Sequence, residues 1–291
     1  MKYAQVFPGQ GSQFIGMGKD LFDKFEEAKK YFLEANKVLD FKITEIMFEG
    51  NQKDLTETNI AQPAIFIHSI IESKFNKKKG GVAAVAGHSL GEFSALVASN
   101  SISFQDGLKL VKVRANEMKK ACEINPGTMA AVIGLDDETV KNCCLKIKEV
   151  VVPANYNCPG QVVVSGEKRA IINLTKILNE RGARRVIPLN VGGAFHSPLM
   201  LPAKKELEKY IQKIEFKKPL YPIYQNSVGK GVLSVEEIKK NLVDQLISPV
   251  LWTQSINQMI TDGIKNYIEI GPGKVLRGLI KKVNPDVYVE L

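Results

Sequence analysis

The chain has 291 residues, 44% hydrophobic and 24% charged, a balance that excludes disordered, collagen-like and fibrous proteins. At roughly 100–200 residues per domain, that length allows one large domain or one with a smaller companion, and a full core needs no staples. Lys+Arg number 40 and Asp+Glu 31, so the formal charge is +9; this leaves nucleic acid, anionic membranes, acidic proteins and phosphorylated small molecules open as partners and says nothing of the fold.

Tyr3–Phe7 is an apolar run closed by Pro8-Gly9, a buried strand and then a tight loop. From Asp20 to Leu39 the residues Leu21, Phe25, Ala28, Phe32, Ala35 and Leu39 recur at three and four, which predicts one amphipathic helix. A second helix is expected to start near Pro63, suited to a first turn. The Lys77–Lys79 run reads as a solvated loop. Val82–Gly87 predicts a small-residue strand, Leu90–Ala98 a helix, and Ser103-Phe104-Gln105-Asp106 resembles a capping box opening a helix to about Cys122.

The pattern then changes. Met129–Leu135 predicts a strand, Asp137–Glu149 a helix, Val150–Ala154 and Gln161–Ser165 two strands about a Pro159-Gly160 turn, Glu167–Arg181 a helix, and Arg185–Val191 a strand. This βαββαβ order is the ferredoxin-like pattern. It predicts a small ferredoxin-like subdomain at 127–194, inserted into an α/β body made of residues 1–126 and 195–291. The body resumes with a helix from Leu199, a strand at Leu220–Gln225, helices around 235–262 and a strand at Asn266–Ile270.

Gly87-His88-Ser89-Leu90-Gly91 matches G-x-S-x-G between a predicted strand and a predicted helix, the setting of a nucleophile elbow. The alternative is a Gly-rich turn with a capping serine. A serine alcohol needs a base. Of the three histidines, His88 adjoins Ser89 and reads as structural, and His68 lies mid-helix among Phe66, Ile67 and Ile70 and reads as packed core. His196, in the loop Gly192-Gly193-Ala194-Phe195-His196-Ser197-Pro198, is the candidate base, against the alternative of a surface histidine. No acidic residue near it stands out as a third member.

Arg114 is spaced by four from Leu110 and Met118, at or within an apolar stripe. A guanidinium cannot shed its proton, so burial there demands an anion, and its fork suits a carboxylate or phosphate. The anion is either a substrate group near the serine or an internal Asp or Glu; a snorkelling side chain is the third option. Pro8-Gly9-Gln10-Gly11-Ser12-Gln13 is not a dinucleotide fingerprint, because Phe14 occupies the last glycine position, but it can place backbone N–H groups at an oxyanion. Gly271-Pro272-Gly273-Lys274 reads as a tight turn rather than a P-loop, and Asn155–Gln161 as a polar hairpin turn. Four Cys without C-x-x-C make neither a disulfide framework nor a zinc site, and no apolar run suggests a signal or a membrane span. A reduced, cytoplasmic protein is expected.

Taken together, these segments resemble the malonyl-CoA:acyl carrier protein transacylase family over nearly the whole chain. The resemblance rests on Phe7–Gln13, Gln62-Pro63-Ala64, Gly87-His88-Ser89-Leu90-Gly91-Glu92, Arg114 with Met118, Asn155–Gln161, Phe195-His196-Ser197, Pro249-Val250-Leu251-Trp252 and Glu269–Lys274. It implies an α/β-hydrolase-like large subdomain with a parallel sheet, a ferredoxin-like small one, and a site in the cleft between them. It further implies Ser89 as nucleophile, His196 as base oriented by a carbonyl of Gln245, backbone N–H groups of Gln10 and Leu90 as oxyanion hole, and Arg114 as clamp on the malonyl carboxylate. Gln10 and Phe195 would also border the substrate. The implied partners are malonyl-CoA as substrate, not cofactor, and an acidic acyl carrier protein, with neither nucleic acid nor membrane, no metal, and a monomeric enzyme. The competing readings are a serine esterase or thioesterase, a non-catalytic carrier-binding domain, and a discrete polyketide acyltransferase.

Overall fold

The structure is a computed structural model that describes residues 2–75 and 81–290, so the Lys77–Lys79 run lies outside the described residues. The first part of the body runs β1 (Lys2–Phe7), α1 (Lys19–Lys24), α2 (Glu26–Leu39), α3 (Ile43–Glu49), α4 (Gln52–Thr56), α5 (Thr58–Phe75), β2 (Gly81–Gly87), α6 (Gly91–Ala98) and α7 (Phe104–Ile124). The insert follows as β3 (Gly127–Ile133), α8 (Asp137–Cys144), β4 (Val151–Cys158), β5 (Gln161–Glu167), α9 (Lys168–Glu180) and β6 (Arg185–Pro188). The body closes with α10 (Leu201–Ile211), β7 (Ile223–Gln225), β8 (Lys230–Val232), α11 (Val235–Asp244), α12 (Trp252–Thr261), β9 (Asn266–Glu269), α13 (Val275–Val283) and β10 (Tyr288–Glu290).

Two sheets organise these elements. The six-stranded sheet has order β10-β9-β1-β2-β7-β8. It is parallel except for the β7–β8 hairpin, so the expected parallel sheet is in fact mixed at one edge. The four-stranded sheet has order β4-β5-β3-β6 and is wholly antiparallel, the arrangement expected of a ferredoxin-like unit.

Side-chain alternation explains how the central strands are covered. Ala4, Val6, Ala84 and Ala86 face a cluster with Trp252, Ile256, Leu276 and Ile280 of α12 and α13. Phe7, Val85 and Ile223 face the opposite cluster, with Ile65, Phe66 and Phe93 of α5 and α6. Strands β1 and β2 are thus buried on both faces, as parallel strands are. In the small sheet Ala130, Val132, Val162 and Val164 pack on α8 and α9, while Met129, Ala131 and Val163 turn toward the body. The edge of β4 is stitched to the body: Tyr156 N donates to Val250 O at 3.0 Å and Val250 N to Ala154 O at 2.8 Å.

Several predicted bounds shift for local reasons. The helix expected over 20–39 breaks at Phe25, whose backbone is extended at φ −125 while its ring stacks on Phe75 at 5.1 Å. The apolar spacing survives this one-residue break, so periodicity alone does not reveal it. Helix α5 begins at Thr58, and Pro63 lies inside it, at the cost of one early backbone hydrogen bond. Helix α8 stops at Cys144 rather than 149, and β4 runs on to Cys158, so most of the expected 155–161 turn is strand. Strand β6 ends at Pro188, which has no N–H to extend the ladder. The Ser103 cap holds: its Oγ accepts from Asp106 N at 3.0 Å and donates to Asp106 Oδ2 at 2.7 Å. Among the described residues no helix is long and apolar enough to cross a membrane. The carboxyl ends of β1, β2 and β7 meet beneath the insert, the place where open α/β sheets bind ligands.

Candidate active site

Strand β2 delivers Ser89. His88 N donates to Phe7 O at 2.9 Å, extending the pairing with β1, and the chain then reverses at Ser89 with φ 52, in the left-handed region. Two glycines make this turn possible. A Cβ on Gly87 would lie 1.8 Å from the Gly91 carbonyl carbon, and one on Gly91 would lie 2.0 Å from Phe7 O. The strained conformation is held from outside by Asn226, just past β7. Its Oδ1 accepts from Ser89 N at 2.7 Å and its Nδ2 donates to Gly87 O at 2.6 Å.

The second strained residue is His196, at φ 57 in the loop leading to α10. Its ring is buried, with Nδ1 donating to Gln245 O at 2.9 Å. That bond assigns the proton to Nδ1, leaving Nε2 to accept from Ser89 Oγ–H at 2.7 Å. Burial, and then the charge of Arg114, push His196 down to about 3, so it rests as a neutral imidazole.

Arg114 projects from α7 and is only 1% exposed. Nη1 donates to Gln62 Oε1 at 2.7 Å; Nη2 donates to Ser89 Oγ at 3.0 Å and to Gln245 Oε1 at 3.1 Å. Its guanidinium carbon lies 5.4 Å from the Phe93 ring centroid, and its buried Nε has no hydrogen-bond partner among the described residues. Burial pushes it down to about 10, opposed by the charge of Glu92. It therefore remains a cation, held by neutral oxygens, with its fork beside the serine oxygen.

The remaining expected residues line the same cavity, about 180 Å³ in volume, bordered by Gln10, Leu90, Phe195 and Met118 together with Ser89, His196 and Arg114. Leu90 opens the first turn of α6, where backbone N–H groups have no partner within the helix. The loop carrying Gln10 lies against the elbow: a Cβ on Gly9 would come within 2.6 Å of His88 O. Gln245 contributes its backbone carbonyl to His196 and its side chain to Arg114. The structure thus gathers every expected site residue into one place.

His88, expected to be structural, is tied to the small subdomain: its Nε2 shares a hydrogen bond with Asn157 Oδ1 at 2.8 Å across to β4, and its ring lies 5.6 Å from Trp252. His68 is buried beside Glu72, Nε2 to Oε2 at 3.4 Å. Cys158 is buried, and burial pushes its thiol up, which suits packing and not attack.

Four contributors have no role assigned from sequence: Gln62, Glu92, Asn157 and Asn226. Gln62, Glu92 and Asn157 lie inside segments that carry the resemblance. Glu92 carries a further signal, as the sole charged residue of the buried α6. Asn226 carries none.

Fold and site together define an α/β enzyme of acyl transfer. The chain belongs to the acyl transferase domain family, whose model matches residues 4–285. It is 44% identical over 289 residues to the malonyl CoA-acyl carrier protein transacylase of Bacillus subtilis, covering 97% of this chain and 90% of the relative. The protein of the same name from Staphylococcus aureus strain MW2 is 43% identical, with 98% and 94% covered. Among solved structures, an acyl carrier protein S-malonyltransferase from Vibrio cholerae superposes with TM-score 0.94 at 39% identity, covering 99% and 96%. A malonyl-transacylase in complex with a type II PKS acyl-carrier protein superposes with TM-score 0.95 at 36% identity, covering 99% and 95%.

Proposed function

We propose that this enzyme transfers malonyl from malonyl-CoA to the phosphopantetheine thiol of acyl carrier protein, in two displacements through a malonyl ester on Ser89, and so supplies the extender unit of fatty acid biosynthesis. His196 Nε2 takes the Ser89 proton as Oγ bonds to the thioester carbon. The oxyanion forms against the N–H groups of Gln10 and Leu90. The C–S bond breaks and His196 returns the proton to the coenzyme A sulfur. The carrier thiol then gives its proton to His196 and attacks the ester; a C–S bond forms, the C–O bond breaks, and Ser89 recovers its proton. The chemistry needs no cofactor, and we place it in the cytoplasm, in a monomer without nucleic-acid or membrane partners.

The observation that carries this reading is the Arg114 guanidinium, 3.0 Å from Ser89 Oγ and buried, with no carboxylate in contact among the described residues. In a malonyl ester the carboxylate carbon lies about 2.5 Å from the ester carbon, two C–C bonds away. That puts its oxygens within reach of the fork. An esterase of neutral acyl groups has no use for such a cation.

Intact-mass spectrometry after mixing with malonyl-CoA tests the proposal. One malonyl adduct is expected, absent in Ser89→Ala and discharged by carrier protein with ping-pong kinetics. Rapid release of free malonate without carrier would establish a thioesterase instead. Exclusive use of a carrier from a polyketide system would move the enzyme to that pathway.

A further inference from the structure

We propose that Glu92 is a positioning residue of this site: a buried carboxylate that gathers Gln225, Asn226 and Gln245 and, through the last two, fixes Ser89, His196 and Arg114 together. The inference rests on the reading of Ser89 as the acylated residue. Glu92 lies in the first turn of α6, three residues beyond Ser89, and is fully buried. An ionised carboxylate in such a place is costly unless donors surround it. The donors are Gln225 Nε2 to Oε1 at 3.0 Å, Asn226 N to Oε2 at 2.8 Å and Gln245 Nε2 to Oε2 at 3.1 Å.

Two of these three make their other contacts on the reacting groups. Asn226 grips the elbow on both sides, at Ser89 N and Gly87 O. Gln245 Nε2 also donates to Ser89 O at 3.0 Å, its Oε1 accepts from Arg114, and its backbone carbonyl accepts from His196 Nδ1. Gln225 braces the group from behind, accepting from Asn241 Nδ2 at 2.9 Å and donating to Ile238 O at 3.2 Å. The Gln245 amide is thus oriented end to end, its oxygen toward the guanidinium and its nitrogen toward the carboxylate. A helix dipole explains an acidic residue in a first turn, but not why its partners are the same groups that hold the nucleophile, the base and the clamp.

All three partners are donors, so only the ionised form fits. A protonated Glu92, or a glutamine there, turns an O–H or N–H against an N–H. Among the described residues the charge acting on it is that of Arg114, which reaches from α7 through Gln245, while β7, the residue after it and α11 present the neutral amides of Gln225, Asn226 and Asn241. Burial pushes Glu92 up to about 7, against the pull of the three bonds and Arg114, whereas His196 sits far lower. An acid limb in turnover near neutrality therefore belongs to Glu92.

The test uses the full chain as wild type, Glu92→Gln and Glu92→Asp. Acyl-enzyme formation is followed by rapid-quench intact mass at saturating malonyl-CoA or acetyl-CoA, from pH 5.5 to 8.5, with thermal melts alongside. In Glu92→Gln the acylation rate per folded site should fall about 10²-fold for both donors, the cost of a misplaced catalytic geometry. KM for malonyl-CoA should move only a few-fold, and the acid limb should flatten. Glu92→Asp should recover part of the rate and keep the limb. Acylation by Glu92→Gln at the wild-type rate and with the wild-type pH profile, whatever its melting temperature, would reduce Glu92 to a structural anchor. Should Glu92→Gln fail to fold, Glu92→Asp decides: a slowed rate at unchanged KM supports positioning, and a wild-type rate overturns it. Absence of any adduct in wild type, or its persistence in Ser89→Ala, would instead overturn the acyl-serine reading itself.

Discussion

Replacing Arg114 by alanine should erase the preference for malonyl over acetyl rather than abolish acylation. In the resting enzyme the guanidinium donates to Gln62, Gln245 and Ser89 at 2.7, 3.1 and 3.0 Å. A malonyl carboxylate would take two such N–H bonds, each charged bond contributing roughly 1.5–3 kcal/mol. Together that is about 3–6 kcal/mol, or about 10²–10⁴-fold at 1.4 kcal/mol per tenfold. Acetyl has no group to lose there. Its acylation should hold or rise, because Arg114 is the second cause of the depressed His196 pKa, after burial. The variant also strands two buried amide oxygens, at about 1–3 kcal/mol each, so its melting temperature should drop by several degrees and the assay temperature must lie below it. Single-turnover acylation by each donor, read as adduct mass against time, gives the ratio directly. Equal losses for malonyl and acetyl would refute the clamp, because removing it would then have damaged only the shared machinery.

Stability should show two opposed proton linkages between pH 4.5 and 6.5. His196 is held below its ordinary value, so the unfolded state binds its proton first and stability falls as pH drops from 6.5 toward 3. Glu92 is held above its ordinary value, so the native state keeps its proton longer and stability falls as pH rises from 4.5 toward 7. The slopes cancel in wild type; in Glu92→Gln melting should become steeper in acid, by up to about 1.4 kcal/mol per pH unit, and a slope equal to that of wild type would refute it. Gly91→Ala sets a Cβ 2.0 Å from Phe7 O; soluble yield or acylation should collapse, and a normal melt with normal turnover would show that the elbow can relax. Carrier-dependent kcat/KM should fall with added salt if, as expected, the carrier that this chain of net charge +9 meets is acidic; a flat response would leave the charge as a matter of solubility.

What was legible in the sequence is what is local. The elbow announces itself because strand, glycines, serine and helix are consecutive, all within residues 81–98, and the insert because its six elements keep the ferredoxin-like order. Arg114 is legible by its spacing on α7. The rest of the site is assembled across the chain. Asn226 lies 137 residues from the Ser89 amide it holds, and the two meet only because β7 pairs with β2. Gln245 orients His196 through a backbone carbonyl, a group every residue carries, so no side-chain type marks the position; only the resemblance pointed there. The break at Phe25 was invisible for the converse reason: one extended residue leaves the helical spacing of its neighbours intact.

The same guanidinium that would recognise the acyl group also governs the base. Its direct partners being neutral oxygens, Arg114 donates to Ser89 Oγ at 3.0 Å, which in turn lies 2.7 Å from His196 Nε2, and its charge opposes formation of an imidazolium. Acylation requires that imidazolium. A malonyl carboxylate on the fork would cancel the opposing charge at the moment the proton must move, so part of its binding energy would appear in the rate and not only in affinity. An acetyl group leaves the charge in place and the base weak. When ionised, Glu92 on the far side of Gln245 gives Arg114 a distant countercharge. It is close enough to oppose the downward push of burial on the guanidinium, yet too far to occupy the fork. On that reading selectivity would lie in the spacing of three charges, two built into the fold and the third supplied by the substrate.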